Sequence, residues 1–447
     1  MKKVLLLIAG LAIFSCKTEP KIDYTVLSGK IENTKKGDTI VVSGGDFKQK
    51  IALAEDGTFS DKLVTDEGYY TLFYGRNRAA LYLTHGDSLH LTTDKLKFNN
   101  ALEYSGTGTT TNTYLAKKLS EAGNLNFRAV YAIEEADFLK KIEEMKSEAL
   151  DRLNNTKDLN EVFVALEKKS INYEYLANLM RYPSYHPYFA KKEDYKVSED
   201  LLKPLDNVDY DNEEDFRNFD SYQQLVSQHY MEMYYNDSLK AESLKSIKGL
   251  KSQNIKNALA GELAYGISPS NEDNEKLFGT IKEMAKDEKL LKELSEKYTK
   301  IQKLVPGKTS PTFNYENHAG GTTSLADLKG KYVYIDVWAT WCGPCIEEIP
   351  SLKKVEKDYH DKNIEFVSIS IDQKGAYETW KNMIKNKELG GIQLMADSAE
   401  KSKFVIDYVI DGIPRFILID PEGNIVNADA PRPSSPKLIE LFNELKI

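Results

Sequence analysis

A chain of 447 residues has room for roughly two to four domains, each able to bury a hydrophobic core of its own. A formal net charge of −9 argues against a nucleic-acid surface as the main function. Charged residues make up 29% and are spread along the chain, which suits a soluble body and excludes a bundle of membrane spans.

The chain opens with Lys2 and Lys3, an apolar run to Phe14, then Ser15 and Cys16. The run is too short for a mature membrane helix, so residues 1–15 read as a signal peptide. Ile13-Phe14-Ser15-Cys16 resembles a bacterial lipobox, which implies that Cys16 is lipidated and starts the mature chain. Phe14 departs from that pattern, and the alternative is an ordinary signal peptide that leaves a spare thiol. Residues 16–23, polar and carrying Pro20, are expected to form a lipidated tether. Lys17 stands where lipoproteins kept at the inner membrane resemble one another in having Asp, so inner and outer membrane both stay open.

Residues 24–106 read as a small antiparallel β sandwich or barrel. Tyr24–Ile31, Thr39–Ser43, Tyr69–Tyr74, Ala80–Leu83 and Ser88–Thr92 are β-branched, aromatic or alternating. Lys-Gly-Asp, Glu-Asp-Gly and His-Gly-Asp turns separate them. The runs Val26–Ile31 and Leu83–Leu89 resemble the β-rich domain that precedes thioredoxin-like modules in Bacteroidetes lipoproteins.

Residues 107–304 change character. Gly106–Thr111 reads as a hinge-like linker, after which Phe138–Met145, Leu159–Met180 and Leu277–Leu304 show apolar residues at three-to-four spacing. A helical domain of five to eight helices is expected. Tyr173, Tyr175, Tyr182, Tyr185, Tyr188 and Phe189 fit core packing, with an aromatic ligand surface as the alternative. Asp206, Asp209, Asp211 and Asp215 are spaced like a calcium loop but lack its glycine and terminal glutamate, so a solvated acidic loop is expected. The histidines are scattered, and no metal site or cofactor is expected.

From residue 305 the pattern becomes β/α alternation. Strands are expected at Phe313–Tyr315, Lys331–Ala339, Ile364–Ile371 and Arg415–Asp420. Helices are expected at about Pro344–His360, Ala376–Lys387, Ala399–Tyr408 and Ser435–Lys446. The central strands are apolar throughout, as a sheet covered on both faces requires.

Cys342 and Cys345 lie three apart where a strand gives way to a helix. A helix N-terminus stabilises a thiolate, so Cys342 is the expected nucleophile and Cys345, one turn inside and less exposed, the resolving thiol. Gly343 permits the tight turn and Pro344 suits the first helical turn. A zinc half-site is the alternative for such a pair, but no second Cys pair exists.

These residues, with Trp338, Trp341, Glu348, Pro350 and Gly412-Ile413-Pro414, resemble the thioredoxin fold, and most closely its membrane-tethered ResA and TlpA branch. The resemblance covers residues 306–447 and places an extra helix and strand in 373–396. It implies a buried base at Asp336 beneath the resolving thiol, and a glutamate at Glu348 that modulates the cysteine pair. It further implies a cis bond at Ile413-Pro414 facing the sulfurs, and substrate contacts at Trp341, Gly343, Pro344 and Ile413.

The expected whole is multidomain: a small antiparallel β domain, a helical middle domain and a C-terminal α/β thioredoxin fold. The expected function is a thiol–disulfide oxidoreductase on the periplasmic face of a bacterial membrane. It would act on protein or cytochrome-assembly disulfides, draw electrons from a membrane donor, and touch the lipid bilayer through Cys16. A peroxidase is the first alternative, but Ile335 and Ala339 replace the Pro and Thr/Ser of the peroxiredoxin pattern. A binding lipoprotein with an accessory redox module is the second.

Overall fold

The computed structural model describes residues 22–447 apart from Asp46, Asn124 and Glu193. The expected signal peptide, Cys16 and most of the tether therefore lie outside the described residues. Two compact units are present, Met1–Glu232 and Met233–Ile447.

The first unit begins with β1 (Thr25–Glu32), β2 (Thr39–Gly44), β3 (Phe47–Ala52), β4 (Thr58–Leu63), β5 (Gly68–Tyr74), β6 (Asn77–Leu83), β7 (Ser88–Asp94) and β8 (Glu103–Gly106). They form two four-stranded sheets, β4-β1-β7-β8 and β3-β2-β5-β6. Side chains alternate across each strand, so in β1 Thr25, Leu27, Gly29 and Ile31 face inward. Leu27 and Ile31 pack with Ile40, Val42, Leu72, Leu81 and Leu91 in one core. Gly29 is required there, because a Cβ would stand 2.1 Å from the Leu91 carbonyl oxygen.

The first sheet is mixed instead of purely antiparallel. β1 and β7 run parallel, from Val26 against Ser88 to Glu32 against Asp94. The strands of the second sheet intervene in sequence, and that long crossover is what parallel pairing needs. β3 and β4, absent from the sequence reading, are edge strands with mostly exposed or half-buried side chains. Polar edge strands discourage pairing with other chains, and they carry little periodic signal.

Gly106–Thr111 is not a free hinge. The helix Thr109–Gly123 starts within it, and Asn112 is fully buried against the open edge of β6. Its Oδ1 accepts from the Tyr82 N–H at 2.9 Å, and its Nδ2 donates to the Tyr82 and Gly108 carbonyls at 3.0 and 2.9 Å. One carboxamide thus replaces a missing neighbour strand. Nearby, the buried Glu167 carboxylate receives Lys118 Nζ at 2.7 Å and the Tyr69 hydroxyl at 3.1 Å. That contact fastens the long helix Glu161–Ala190 to β5.

The aromatic stretch is mainly core. Tyr182 is fully buried and stacks on Phe138 at 4.1 Å, while Tyr188 at its end faces solvent. In the acidic segment, Asp215 is buried and accepts from Lys169 Nζ at 2.8 Å and the Tyr173 hydroxyl at 2.6 Å.

The helical stretch is richer and more divided than its periodicity implies. Among the described residues, 107–304 holds eleven α-helices, three of them of only four to six residues. It does not form one body, since the division between units falls after Glu232. Short helices escape a periodicity reading because one turn and a half shows no repeat. None of the described helices is long and apolar enough to cross a membrane.

The second unit carries Lys240–Gly249, Gln253–Leu263, Asn274–Met284 and Glu288–Ile301 ahead of a sheet. The strands are β9 (Asn314–Asn317), β10 (Thr322–Ser324), β11 (Tyr332–Trp338), β12 (Ile364–Ser370), β13 (Ile392–Met395), β14 (Arg415–Ile419) and β15 (Ile425–Asn427). Their order is β10-β9-β13-β12-β11-β14-β15. β11 pairs in parallel with β12 and antiparallel with β14. The helices Gly343–Asp358, Tyr377–Lys387 and Pro436–Glu444 accompany it. The expected inserted helix and strand in 373–396 are Tyr377–Lys387 and β13.

Asn112→Ala leaves the N–H and the carbonyl of Tyr82 at the sheet edge unpaired, whereas the Gly108 carbonyl keeps the backbone N–H of residue 112 at 3.2 Å. The substitution is expected to destabilise the first unit by about 3 kcal/mol, read as a lowered midpoint in urea unfolding of the full chain. An unchanged midpoint would show that the β6 edge finds other partners.

Candidate active site

β11 delivers the chain to the centre of the sheet, and the helix Gly343–Asp358 leads it away. The junction between them is clamped. The Asp372 carboxylate, fully buried, accepts from the Thr340 N–H at 2.9 Å, the Thr340 hydroxyl at 2.8 Å and the Ser370 hydroxyl at 2.8 Å. Thr340 stands two residues before Cys342, so the clamp sets where the first cysteine emerges.

Cys342 is the N-cap of the helix, and its Sγ accepts from the Cys345 N–H at 3.2 Å. An N-cap acceptor meets the unpaired amides and the positive end of the helix dipole. Pro344 falls in the first turn, where no amide hydrogen is needed. Cys342 and Cys345 are joined in a disulfide with Cα atoms 5.3 Å apart. The expected difference in burial is absent: both cysteines are 4% exposed.

Around the pair, Gly343 and Pro344 are exposed and Trp341 is 62% exposed. Trp338, by contrast, is buried. The Ile413–Pro414 bond is cis, as expected, and half-buried.

Asp336 sits in the middle of β11, between Phe416 of β14 and Ser368 of β12. Burial pushes its carboxyl up to about 8, helped by the negative charges of Glu356 and Glu348 and opposed by a hydrogen bond with Ser368. Asp336 and Cys345 line one cavity together with Glu356 and Gln393. The sequence-derived pair of base and resolving thiol is thus brought together.

Glu348 is buried on the active-site helix and held by a distant segment. Its carboxylate accepts from the Ser434 N–H at 3.0 Å and the Ser434 hydroxyl at 2.8 Å, with Arg432 at 3.8 Å. It ties the active-site helix to the segment before Pro436–Glu444, and its charge acts on Asp336. Ser434 and Asp372 left no sequence signal. Glu356 left one: Cys345, Ile349, Leu352 and Glu356 follow one helical stripe, and a glutamate closes an otherwise apolar row.

The raised carboxyl of Asp336 makes stability depend on pH in a definite sense. The folded protein holds this proton to about pH 8, whereas the unfolded chain releases it near 3.8. The contribution is therefore full below 3.8 and is lost as pH rises towards 8. Asp336→Asn is expected to gain stability over the parent through that window, by up to about 1.4 kcal/mol per pH unit. Denaturant unfolding at several pH values checks this, and parallel curves for both proteins would refute it.

Residues 305–439 match the Redoxin family model. The thiol-disulfide oxidoreductase ResA of Bacillus cereus is 30% identical over 125 residues, covering 28% of this chain and 69% of the relative. ResA of Bacillus subtilis is 30% identical over 121 residues, covering 27% of this chain and 64% of that protein. A solved thioredoxin domain of a thiol-disulfide oxidoreductase from Bacteroides vulgatus is 30% identical, covering 32% of this chain and 98% of its own, with a TM-score of 0.29. A dithiol pair at a strand–helix junction, on a chain that aligns with more than two thirds of a ResA relative, places this protein in the family of ResA-like thiol–disulfide oxidoreductases.

Proposed function

We propose that the protein is a lipid-anchored, periplasmic oxidoreductase that reduces disulfides in protein substrates, cytochrome-assembly proteins among them. The observation that carries this is the Cys342–Cys345 pair, capping a helix and backed by the buried Asp336. In the reduced enzyme the Cys342 thiolate attacks a substrate sulfur. A mixed disulfide forms and one substrate thiolate leaves. Cys345 gives its proton to Asp336 and attacks Cys342 Sγ. The enzyme disulfide forms, the mixed disulfide breaks, and the second substrate thiolate departs.

Asp336 suits this step because its carboxyl, raised to about 8, is matched to a thiol whose ordinary value is near 8.5. The exposed Trp341, Gly343 and Pro344 flank the sulfurs and, with Ile413, are the surface proposed to meet the substrate. The Gly-Pro between the cysteines resembles reducing thioredoxins, which supports the reductive direction. Each turnover consumes two electrons, and in an oxidising periplasm a membrane dithiol donor must return them. The signal-like run 1–15 and the third cysteine, Cys16, directly after it support placement on that side of the membrane.

Cys345→Ser is expected to stall at the mixed disulfide, so substrate proteins accumulate on Cys342 as adducts released by dithiothreitol. Cys342→Ser should trap none. Adducts that form equally with both variants would reassign the nucleophile.

Lipidation is tested separately. Labelled palmitate should enter the full-length protein in its bacterial host and be lost in Cys16→Ser. Label that survives the substitution would remove the anchor from the proposal.

A further inference from the structure

The cavity beneath Cys345 has a second acidic wall. Glu356 faces it from the helix Gly343–Asp358, opposite Asp336 on β11. The space offers about 10 Å³ to a water-sized sphere, near the least that one water needs. Gln393, also on the wall, donates its Nε2 to the Gly390 carbonyl at 2.7 Å, but its buried Oε1 has no donor. The two carboxyls thus face a small, mostly apolar cavity beside Cys345, with Lys353, Ser368 and Trp338 as the donors on its wall.

The position of Glu356 is built into the backbone. A Cβ on Gly390 would stand 2.5 Å from Glu356 Oε2, and one on Gly391 would stand 3.0 Å from Oε1. Two glycines clear the path for this carboxylate, and both belong to an exposed loop. Glu356 thus spans from the buried cavity to the solvent edge.

We infer that Asp336 and Glu356 hold one proton in common across this cavity, and that Glu356 is the positioning residue through which the proton taken from Cys345 leaves to solvent beside Gly390. The inference rests on the functional reading above and names the proton's exit. Two carboxylates facing one small volume resist ionising together, so they titrate as a pair. Around Asp336 stand Glu356, Glu348, the Ser368 hydroxyl and the Tyr334 phenol. Around Glu356 stand Asp336 and Lys353, whose Nζ also donates to the Lys387 carbonyl at 3.0 Å. Burial raises both carboxyls, and Glu356, whose oxygens lie against the exposed Gly390 and Gly391, is the member that exchanges with water. In the reductive cycle the Cys345 proton passes to Asp336 as the enzyme disulfide closes. The pair then releases it through Glu356, and no external oxidant is required.

The test uses the full-length oxidised protein. The protonated Asp336 carboxyl is followed by infrared spectroscopy against pH, with Asp336→Asn assigning the band. Glu356→Gln removes a like charge, so the Asp336 midpoint should fall by roughly one unit. In single-turnover quench experiments on the reduced enzyme, resolution of the mixed disulfide should slow on the order of tenfold while its formation is unchanged. Glu356→Asp should restore part of the rate. Gly390→Ala, which displaces the carboxylate without altering its charge, should slow resolution in the same way and guards against misfolding of the first variant. An unmoved Asp336 midpoint, or equal slowing of both steps, overturns the inference. If the parent protein reduces no disulfide at all, the functional reading fails instead, and the infrared titration still judges the shared proton.

Discussion

A carboxyl group in the middle of a fully covered sheet governs this active site. β11 is buried on both faces, and Asp336 interrupts its apolar run directly below the cysteine pair. Ionising it there is costly, because it is shielded from bulk water and two further acids, Glu356 and Glu348, repel the charge. The group therefore holds a proton at neutral pH when the disulfide is closed. That is the state a base should be in just after it has deprotonated a resolving thiol.

The first cysteine depends on a different kind of order. Its thiolate is favoured by amides whose direction is fixed only if the helix start is fixed. Asp372 supplies that constraint with three hydrogen bonds to Thr340 and Ser370, and the Thr340 N–H is among them. One buried aspartate has its proton held by its surroundings and is the base proposed above. The other is surrounded by donors and serves geometry. Residue type alone does not separate them; the count of donors within reach does.

Much of the site was legible because its residues are close in sequence or lie in strongly apolar strands. Cys342, Cys345 and Asp336 all lie within ten residues, on one strand and the turn after it. Ile413-Pro414 was legible only through resemblance, since nothing in its local composition requires a cis bond. Ser434, Asp372 and Gln393 reach the site from distant elements, and a single sequence does not encode such meetings. In the first unit the strands facing the core alternate and were readable, whereas β3 and β4 show few buried positions at the sheet edges. The parallel pairing of β1 with β7 was hidden for the same reason as Ser434, since sixty residues of chain separate the partners.

The Redoxin match begins at residue 305, but the structural support of the site begins earlier. Lys297, on the helix Glu288–Ile301, holds Asp411 at 2.6 Å with its ammonium largely shielded from solvent. Asp411 stands three residues before Pro414, so the loop carrying the cis bond is tied to a helix outside the matched segment. Lys297 also donates to the Ala264 carbonyl at 3.1 Å, which fixes its own position. The lysine is largely buried and the aspartate half-exposed, so the second anchor on Lys297 is what distinguishes this pair from an ordinary surface contact. The helix Glu288–Ile301 is therefore joined to the loop that carries the cis bond.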